Sequence, residues 1–169
     1  MLETELYPPI KRYFEGLGYE VKSEVRHCDV IAQKGEDLVI VELKVRLNLD
    51  LILQGAERQR MTPYVYLAVP DSTFKKDKQR VKEITLLLRR LELGLILVTT
   101  SGRVNVQFDP GPYDQEAARR RMKYKKQLLL KEFQQRQGDH NQGGQTKRRI
   151  VTSYREQSLL IAKYLQAAE

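Results

Sequence analysis

Two carboxylates and one ammonium group, those of Asp29, Glu42 and Lys44, lie on two neighbouring strand-like segments, residues 27–33 and 38–45. Side chains that face each other across antiparallel strands have Cβ atoms roughly 4.5–5.5 Å apart. Two acidic side chains in register can therefore share one hard divalent cation, which prefers oxygen ligands. A lysine on the same face can stabilise the charge that develops when a phosphodiester is hydrolysed. The residue types indicate metal-dependent phosphodiester chemistry.

The register follows from the loop between the two segments. Gly35 and Glu36 separate them, and glycine first in a two-residue loop is typical of a type II′ hairpin turn. Such a turn places Asp29 opposite Glu42, with Lys44 on the same face. The other face is then wholly apolar, and its residues are Cys28, Val30, Ala32, Val39, Val41 and Leu43. A slip of one residue would mix the two faces, so this register is strongly specified.

The pattern Glu-x-Lys is common in charged chains, where it usually forms a solvated strand face. Two observations favour the catalytic interpretation here. Residues 38–41 are all apolar, which predicts a strand covered on both faces, where uncompensated charge is costly. The formal net charge of +8 and the pI near 9.6 also suit a polyanionic partner. Mg²⁺ is the expected cation beside phosphate, and Mn²⁺ is expected to substitute for it.

The elements around the hairpin predict an α/β fold. Apolar residues from Leu6 to Leu17 recur at helical spacing, with Pro8 and Pro9 expected near the first turn, and a strand follows at residues 19–24. Asn48 is a suitable N-cap for the next helix. The later elements are that helix to about residue 60, a strand at 64–69, a helix at about 76–93, and strands at 95–99 and 103–108. This order predicts a central mixed sheet flanked by helices.

The chain resembles the PD-(D/E)XK nuclease superfamily, which includes restriction endonucleases and Holliday-junction resolvases. Asp29 is followed, after 12 residues, by Glu42-Leu43-Lys44, and the order of elements resembles the αβββαβ core of that superfamily. The chain is particularly similar to a bacterial group of uncharacterised PD-(D/E)XK phosphodiesterases. The similar segments are ETELYPP, VELK, LQG, VYLAVP and GGQTKRRIVTSYR. The resemblance implies a restriction-endonuclease-like core.

The resemblance also implies residue roles. Asp29 and Glu42 would be metal ligands, the Leu43 carbonyl a further ligand, and Lys44 the catalytic lysine, with Mg²⁺ as the cofactor. This sequence departs from the family pattern in having Cys28 rather than proline before the aspartate. The superfamily tolerates variation at that position.

Three more residues are candidates for the site. Many superfamily members take an extra acidic ligand from the first helix, and at 100° per residue Glu3 shares the stripe of Leu6, whereas Glu5 does not. We favour Glu3, although interaction with the helix dipole explains it equally well. Gln54 and Arg58 lie four residues apart on the second helix and can both face the site. Gln54 is assigned to the catalytic set and Arg58 to nucleic-acid binding, with a solvated helix face as the alternative.

The sequence changes character after residue 112. Residues 1–112 form the predicted nuclease-like core, and residues 113–169 form a basic helical extension. The extension is predicted to contain one long helix from Asp114 to about Gln137, a polar linker at 138–146 and an amphipathic helix at 150–168. Candidate nucleic-acid ligands on it are Arg119, Arg120, Lys123 and Lys126, although a solvated helix explains them equally well. The extension is either the start of a winged-helix module or an oligomerisation element that pairs two subunits.

The functional expectation is a metal-dependent phosphodiesterase that hydrolyses nucleic acid, in the first instance a DNA endonuclease. RNA, and branched or single-stranded substrates, remain open. The alternatives are a non-catalytic nucleic-acid-binding module on the same fold and a structural or assembly protein. The single cysteine, Cys28, excludes an internal disulfide and a cysteine-based zinc site, and together with the absence of a long apolar run it predicts a cytoplasmic protein with no membrane partner.

Overall fold

The structure is a computed structural model that describes residues 1–74, 78–144 and 148–168. The chain divides into two compact units, Met1–Tyr113 and Asp114–Glu169. Within the described residues, no helix is both long enough and apolar enough to cross a membrane.

The first unit is built on a six-stranded mixed sheet. Its strands are β1 (Glu20–Val25), β2 (Cys28–Lys34), β3 (Asp37–Leu43), β4 (Tyr64–Pro70), β5 (Gly94–Val98) and β6 (Val104–Phe108). They lie in chain order across the sheet, with β3, β4 and β5 parallel and the other neighbours antiparallel. Its helices are α1 (Glu3–Gly16), α2 (Leu49–Arg58) and α3 (Lys78–Arg90), with a short 3-10 helix at Asp71–Phe74. Residues 75–77 lie outside the described residues.

Helices cover both faces of this sheet. The α1 side chains Leu6, Ile10 and Phe14 are buried on one face, while Leu51 of α2 and Leu88 of α3 are buried on the other. Parallel neighbouring strands require a crossover connection, and α2 and α3 supply the crossovers between the three central strands. A mixed sheet flanked by helices is the predicted fold class, and it is consistent with a restriction-endonuclease-like core.

Helix α1 begins earlier than its prolines suggest. Pro8 and Pro9 lie inside the helix, in its second turn, so the prediction that they sit near the first turn was wrong. The chain extends the helix towards its N-terminus through Glu5, whose Oε2 accepts a hydrogen bond of 2.6 Å from the Leu2 amide. This contact satisfies one of the amides that every helix start leaves unpaired. The extra turn is the part of α1 that carries Glu3.

Helix α2 begins as predicted and lies very close to the sheet. The Asn48 side chain accepts a hydrogen bond of 3.0 Å from the Leu51 amide, which confirms it as the N-cap. A Cβ at Gly55 would lie 2.7 Å from Leu67 Cδ2 of β4, closer than real Cβ atoms come. Glycine at this position therefore permits the close approach. Arg58 lies on the following turn and is brought near the sheet by the same packing.

The second unit contains three helices, α4 (Gln115–Arg121), α5 (Lys123–Gln135) and α6 (Ser153–Ala167). The single long helix predicted from Asp114 to Gln137 was wrong, because the chain leaves helical geometry at Met122, where φ is −94° and ψ is 4°. The Asp114 side chain does cap the first of the two helices by accepting a hydrogen bond from the Ala117 amide.

The segment after α5 is held in place by side chains. Glu156 of α6 is buried and accepts hydrogen bonds from the backbone amides of Gln137 and Gly138. The Asn141 amide side chain bonds both the N–H and the C=O of Val151, at 2.8 Å each. The predicted polar linker at 138–146 therefore forms specific contacts from its first residues. Residues 145–147 lie outside the described residues.

Candidate active site

The central hairpin has the register that its turn predicts. Gly35 adopts a φ of +61°, the conformation that a type II′ turn requires at its first central position. The paired residues run from Lys34 opposite Asp37 to Val30 opposite Val41. The predicted register is therefore confirmed over this part of the hairpin.

Regular pairing ends one residue before the candidate acids. Beyond Val30 and Val41, the Asp29 carboxylate takes the place of a backbone partner, because its Oδ2 accepts a hydrogen bond of 2.7 Å from the Leu43 amide. Strand residues direct their N–H and C=O groups towards the same neighbour. The Leu43 carbonyl therefore faces the Asp29 side of β3 as well.

Glu42 is the most deeply buried acid of the site. It is 0% exposed, and its Oε1 accepts a hydrogen bond of 2.6 Å from Arg58 Nε. Burial raises the pKa of the Glu42 carboxyl and the neighbouring Asp29 carboxylate raises it further, while the bond from Arg58 acts in the opposite direction. Glu42 Oε2 is buried with no hydrogen-bond partner among the described residues. Asp29 and Glu42 are therefore adjacent acids, and one oxygen of the pair is unsatisfied.

The apolar face of the hairpin is as predicted, except for one residue. The residues that pack against α1 are Val30, Ala32, Val39, Val41 and Leu43. Cys28, which was predicted to join them, instead packs on the α2 face with Ile40 and Leu51, so that prediction was wrong. The preceding turn has left-handed φ values at Arg26 and His27, 49° and 66°, and β2 has already left its regular pairing with β3 at this point. Burial raises the pKa of the Cys28 thiol.

Lys44 and Glu3 form an ion pair at the end of the sheet. The Lys44 ammonium lies 3.7 Å from Glu3 Oε1, whereas Glu5 is turned back to the start of its own helix. Glu3 also lines a cavity of about 320 Å³ together with Asp29 and Leu43; the other lining residues are Thr4, Tyr7, Ser23 and Glu24. The first-helix acid that faces the Asp29 cavity is thus Glu3. The ion partner of Lys44 is this residue, while Glu42 is paired with Arg58.

Glu24 is a cavity residue that the sequence did not indicate. Ser23 pairs with Val30 and Val25 pairs with Cys28, so Glu24 lies across from Asp29 on β1. It adopts a left-handed φ of 54°, which few residues other than glycine and asparagine adopt. No sequence signal marks this arrangement, because the β1–β2 loop, Arg26 and His27, contains no glycine or asparagine that would indicate a tight turn.

The two α2 candidates have different environments. Arg58 contacts Glu42, and its Nη2 also donates to the His27 carbonyl. Gln54 lies one turn earlier, and its Oε1 is buried with no hydrogen-bond partner among the described residues. The catalytic role of Gln54 stays a prediction. Arg58, which the sequence assigned to nucleic-acid binding, has an intramolecular partner at the acidic pair.

The chemistry of the acidic pair, Asp29 and Glu42, suits a divalent cation. Nowhere in residues 1–74, 78–144 and 148–168 do three or more His, Cys, Asp or Glu side chains form a group that could hold an ion. Two carboxylates and a backbone carbonyl are nevertheless suitable ligands for a hard cation that keeps several waters, as Mg²⁺ does. The unpartnered Glu42 Oε2 is the specific observation that supports the fit, because a buried unsatisfied oxygen is costly and a cation would satisfy it.

The basic candidates lie on two helices of the second unit. Arg119 and Arg120 are on α4, and Lys123 and Lys126 are on α5. All four side chains are exposed. Arg120 lies 3.7 Å from carboxylate oxygens of both Asp114 and Glu116, so part of its charge is already paired.

Residues 93–169 match the model of a protein family described as "Putative PD-(D/E)XK phosphodiesterase". The resemblance to the PD-(D/E)XK superfamily is confirmed. The match covers β5, β6 and the second unit, and it does not extend to Asp29, Glu42 or Lys44. It supports the PD-(D/E)XK phosphodiesterase class, while the roles of those three residues stay predictions. No curated protein and no solved structure matches the chain.

Proposed function

We propose that this chain is a divalent-metal-dependent nuclease that hydrolyses phosphodiester bonds in DNA as an endonuclease. The observation that carries the proposal is the acidic pair, in which Glu42 is fully buried beside Asp29 and has one unsatisfied oxygen. A buried carboxylate beside a second, partly buried one is unfavourable unless a function or a bound cation requires it. The family match at residues 93–169 supports the same reaction class.

The proposed cofactor is Mg²⁺, with Mn²⁺ as a substitute. Asp29, Glu42 and the Leu43 carbonyl would hold it, and Glu3 lines the same cavity as Asp29. When bound, such a cation polarises a phosphoryl oxygen and lowers the pKa of a coordinated water. The protein orients the ligands beforehand, because the Leu43 amide fixes Asp29 and the Arg58 guanidinium fixes Glu42.

Lys44 is the proposed source of positive charge for the reacting phosphate. Its side chain is 32% exposed, and its ammonium is held at the end of the sheet by Glu3. A cation placed there is preorganised to stabilise negative charge that develops on phosphoryl oxygens. Gln54 completes the proposed catalytic set, because its buried unpartnered oxygen on α2 is free to orient a neighbouring group.

The proposed nucleic-acid contacts are Arg119, Arg120, Lys123 and Lys126; Arg58, which the sequence assigned to this set, is paired with Glu42. The four exposed bases belong to a chain with a formal net charge of +8, and such side chains bind phosphates with release of counterions. These contacts would position the backbone and would carry no sequence information.

A second candidate function is a nucleic-acid-binding module without hydrolysis. Two observations favour it: Glu42 is already paired with a cation, Arg58, and the described residues contain no ready group of three metal ligands. The two functions differ in whether the acidic pair and Lys44 act on a transition state.

The test compares Lys44→Ala with neutralisation of the four helix bases on one substrate. Lys44→Ala should lower the hydrolysis rate about 10²- to 10³-fold, the range for loss of one transition-state donor. It should change binding affinity little, because the charge it stabilises develops only during the reaction. Neutralising the four bases should do the reverse and reduce the salt dependence by about one unit of slope per lost phosphate contact. Lys22→Ala is the control, because Lys22 is exposed on β1 and pairs with Glu20.

The substrates are duplex DNA, single-stranded DNA and RNA, each with Mg²⁺, with Mn²⁺ and with a chelator. Binding without cleavage in every metal condition would establish the binding-module function instead. Cleavage by Lys44→Ala at the wild-type rate would remove Lys44 from the mechanism. Cleavage of RNA alone would correct the substrate class.

A further inference from the structure

Arg58 connects β3, which carries Glu42, to the turn that precedes β2, which carries Asp29. Its Nε donates to Glu42 Oε1 at 2.6 Å, and its Nη2 donates to the His27 carbonyl, two residues before Asp29. The Arg58 side chain is 15% exposed; its contact with Glu42 is partly buried, whereas its contact with the His27 carbonyl is exposed. One α2 residue therefore holds Glu42 on β3 and the start of the strand that carries Asp29.

The geometry of the contact suits positioning better than simple neutralisation of charge. A lysine ammonium would compensate Glu42 as a point charge, whereas arginine offers donors in a rigid planar fork. That fork is used at two places, on strand β3 and in the β1–β2 turn. It takes Glu42 Oε1 and leaves Oε2 buried and without a hydrogen-bond partner among the described residues.

Helix α2 is itself held firmly in the position that this contact needs. Its N-terminus is capped by Asn48, and Gly55 lets it lie against Leu67 and Leu93 of the core. Arg58 lies three residues after Gly55 on the same helix, so its side chain extends from a rigid element. Positioning of ligands from rigid elements is what an effective site requires.

We propose that Arg58 is a positioning residue for the acidic pair: it fixes Glu42 and the β1–β2 turn so that Asp29 and Glu42 can share one divalent cation. The proposal rests on the proposed function, because it gives Arg58 a role in the cation site. It differs from a role in binding nucleic acid, and it assigns the guanidinium an effect that is measurable without any substrate.

The central variant is Arg58→Lys, which keeps the positive charge and removes the fork. The measurement is the dissociation constant for Mn²⁺ by calorimetry at neutral pH, on protein whose circular dichroism shows that it is folded. Loss of a group that orients a metal ligand typically weakens metal binding about 10- to 100-fold, and we expect Arg58→Lys to fall in that range. Arg60→Lys is the matched control, because Arg60 follows closely in the chain, is exposed and forms an ion pair with the exposed Glu57 rather than with the acidic pair.

Arg58→Gln separates positioning from repulsion of the cation. If positioning dominates, this variant also binds Mn²⁺ more weakly. Tighter binding by Arg58→Gln would mean that the guanidinium opposes the cation, and it would overturn the proposal. Wild-type affinity in folded Arg58→Lys would overturn it as well.

A measurement on the wild type keeps the proposal testable even if the variants unfold. The Arg58 Nε–H resonance can be followed by ¹⁵N NMR during titration with Mg²⁺, which is diamagnetic. If the Arg58 Nε–H proton still exchanges slowly with solvent at saturation, Arg58 remains in contact with Glu42 when the cation is bound, which supports the proposal. Rapid exchange at saturation would show that the cation displaces Arg58 from Glu42, and it would overturn the proposal. If wild type binds neither cation, the proposed function fails together with this inference. If it binds them and Arg58→Lys is unaffected, the inference alone fails.

Discussion

Replacing Asp29 by asparagine should stabilise the metal-free protein and remove most of its stabilisation by metal. The structure gives the reason for both effects. The Asp29 carboxylate lies beside buried Glu42 and raises the pKa of its carboxyl, so the two charges repel each other in the folded state. Asparagine keeps an oxygen that can accept the hydrogen bond from the Leu43 amide and removes the negative charge.

The size of the gain follows from Coulomb's law. Two unit charges about 5 Å apart at an effective dielectric constant of about 20 repel by roughly 3 kcal/mol. Arg58 offsets part of this repulsion, and Asp29 is only partly buried, so a net gain of about 1–2 kcal/mol is expected. In a domain of this size that gain raises the melting temperature by on the order of 5 °C.

Metal should stabilise the variant much less than it stabilises the wild type. A cation at about 100 times its dissociation constant stabilises wild type by roughly 2.7 kcal/mol, because it binds only the folded state. Asp29→Asn loses a charged ligand and should lose most of that gain. The assay is thermal unfolding of both proteins with chelator, Mg²⁺ and Mn²⁺ at neutral pH.

Asp37→Asn is the matched control on the same hairpin. Asp37 is exposed and pairs with Lys34 at the turn, at the far end of the β2–β3 ladder from Asp29. It should change neither the metal-free melting temperature nor the metal response. A full metal response in Asp29→Asn would place the cation elsewhere, and a lower metal-free melting temperature would show that repulsion by Asp29 is not the dominant effect.

Further predictions concern packing and the second unit. Gly55→Ala should cost about 1–2 kcal/mol in urea unfolding, because its Cβ would lie 2.7 Å from Leu67 Cδ2; Gly16→Ala, with no atom within 4 Å, should be neutral or stabilising, and equal effects would refute the packing argument. Hydrogen bonds from Ser153 hold the pKa of Glu132 at about 2, below its ordinary value of 4.5. A lowered pKa contributes stability above the unfolded value that is lost as the pH falls through the folded value. Helicity of the second unit should therefore decrease between about pH 4.5 and 2, and Glu132→Gln should flatten that acid transition in circular dichroism.

The hairpin could be predicted because local and long-range requirements agree there. Gly35 permits a two-residue turn with positive φ, and alternation of polar and apolar residues fixes the register that buries one face. The Asn48 cap was predictable for a similar reason, because a polar residue immediately precedes an amphipathic helix. In both cases the decisive residues are close in sequence.

The β1–β2 turn could not be predicted, because its residues do not favour its conformation. Arg26 and His27 both adopt left-handed φ, for which asparagine and glycine are the usual residues. This turn decides that Glu24 lies across from Asp29, and it accompanies the displacement of Cys28 to the α2 face. The cavity residue Glu24 was therefore absent from the predicted site.

The contacts of Arg58 were missed for a different reason. Arg58 and Glu42 are 16 residues apart in the sequence. The helical periodicity of α2 predicts only that Arg58 and Gln54 lie on the same side of the helix. The decisive factor is how closely α2 approaches the sheet, which depends on Gly55 and on the residues it packs against in β4 and before β5. A distance between layers is a tertiary property that sequence spacing does not contain.

Glu42 combines the structural and the functional requirements of the site in one side chain. A buried carboxylate with both oxygens bonded to arginine would form a closed ion pair that leaves no oxygen for a cation. A buried carboxylate with neither oxygen bonded would favour the protonated form. Here Oε1 is bonded to Arg58 and Oε2 is not bonded by any described residue. The bond to Arg58 holds the Glu42 side chain in place, and the unbonded Oε2 still favours binding of a further positive charge beside Asp29.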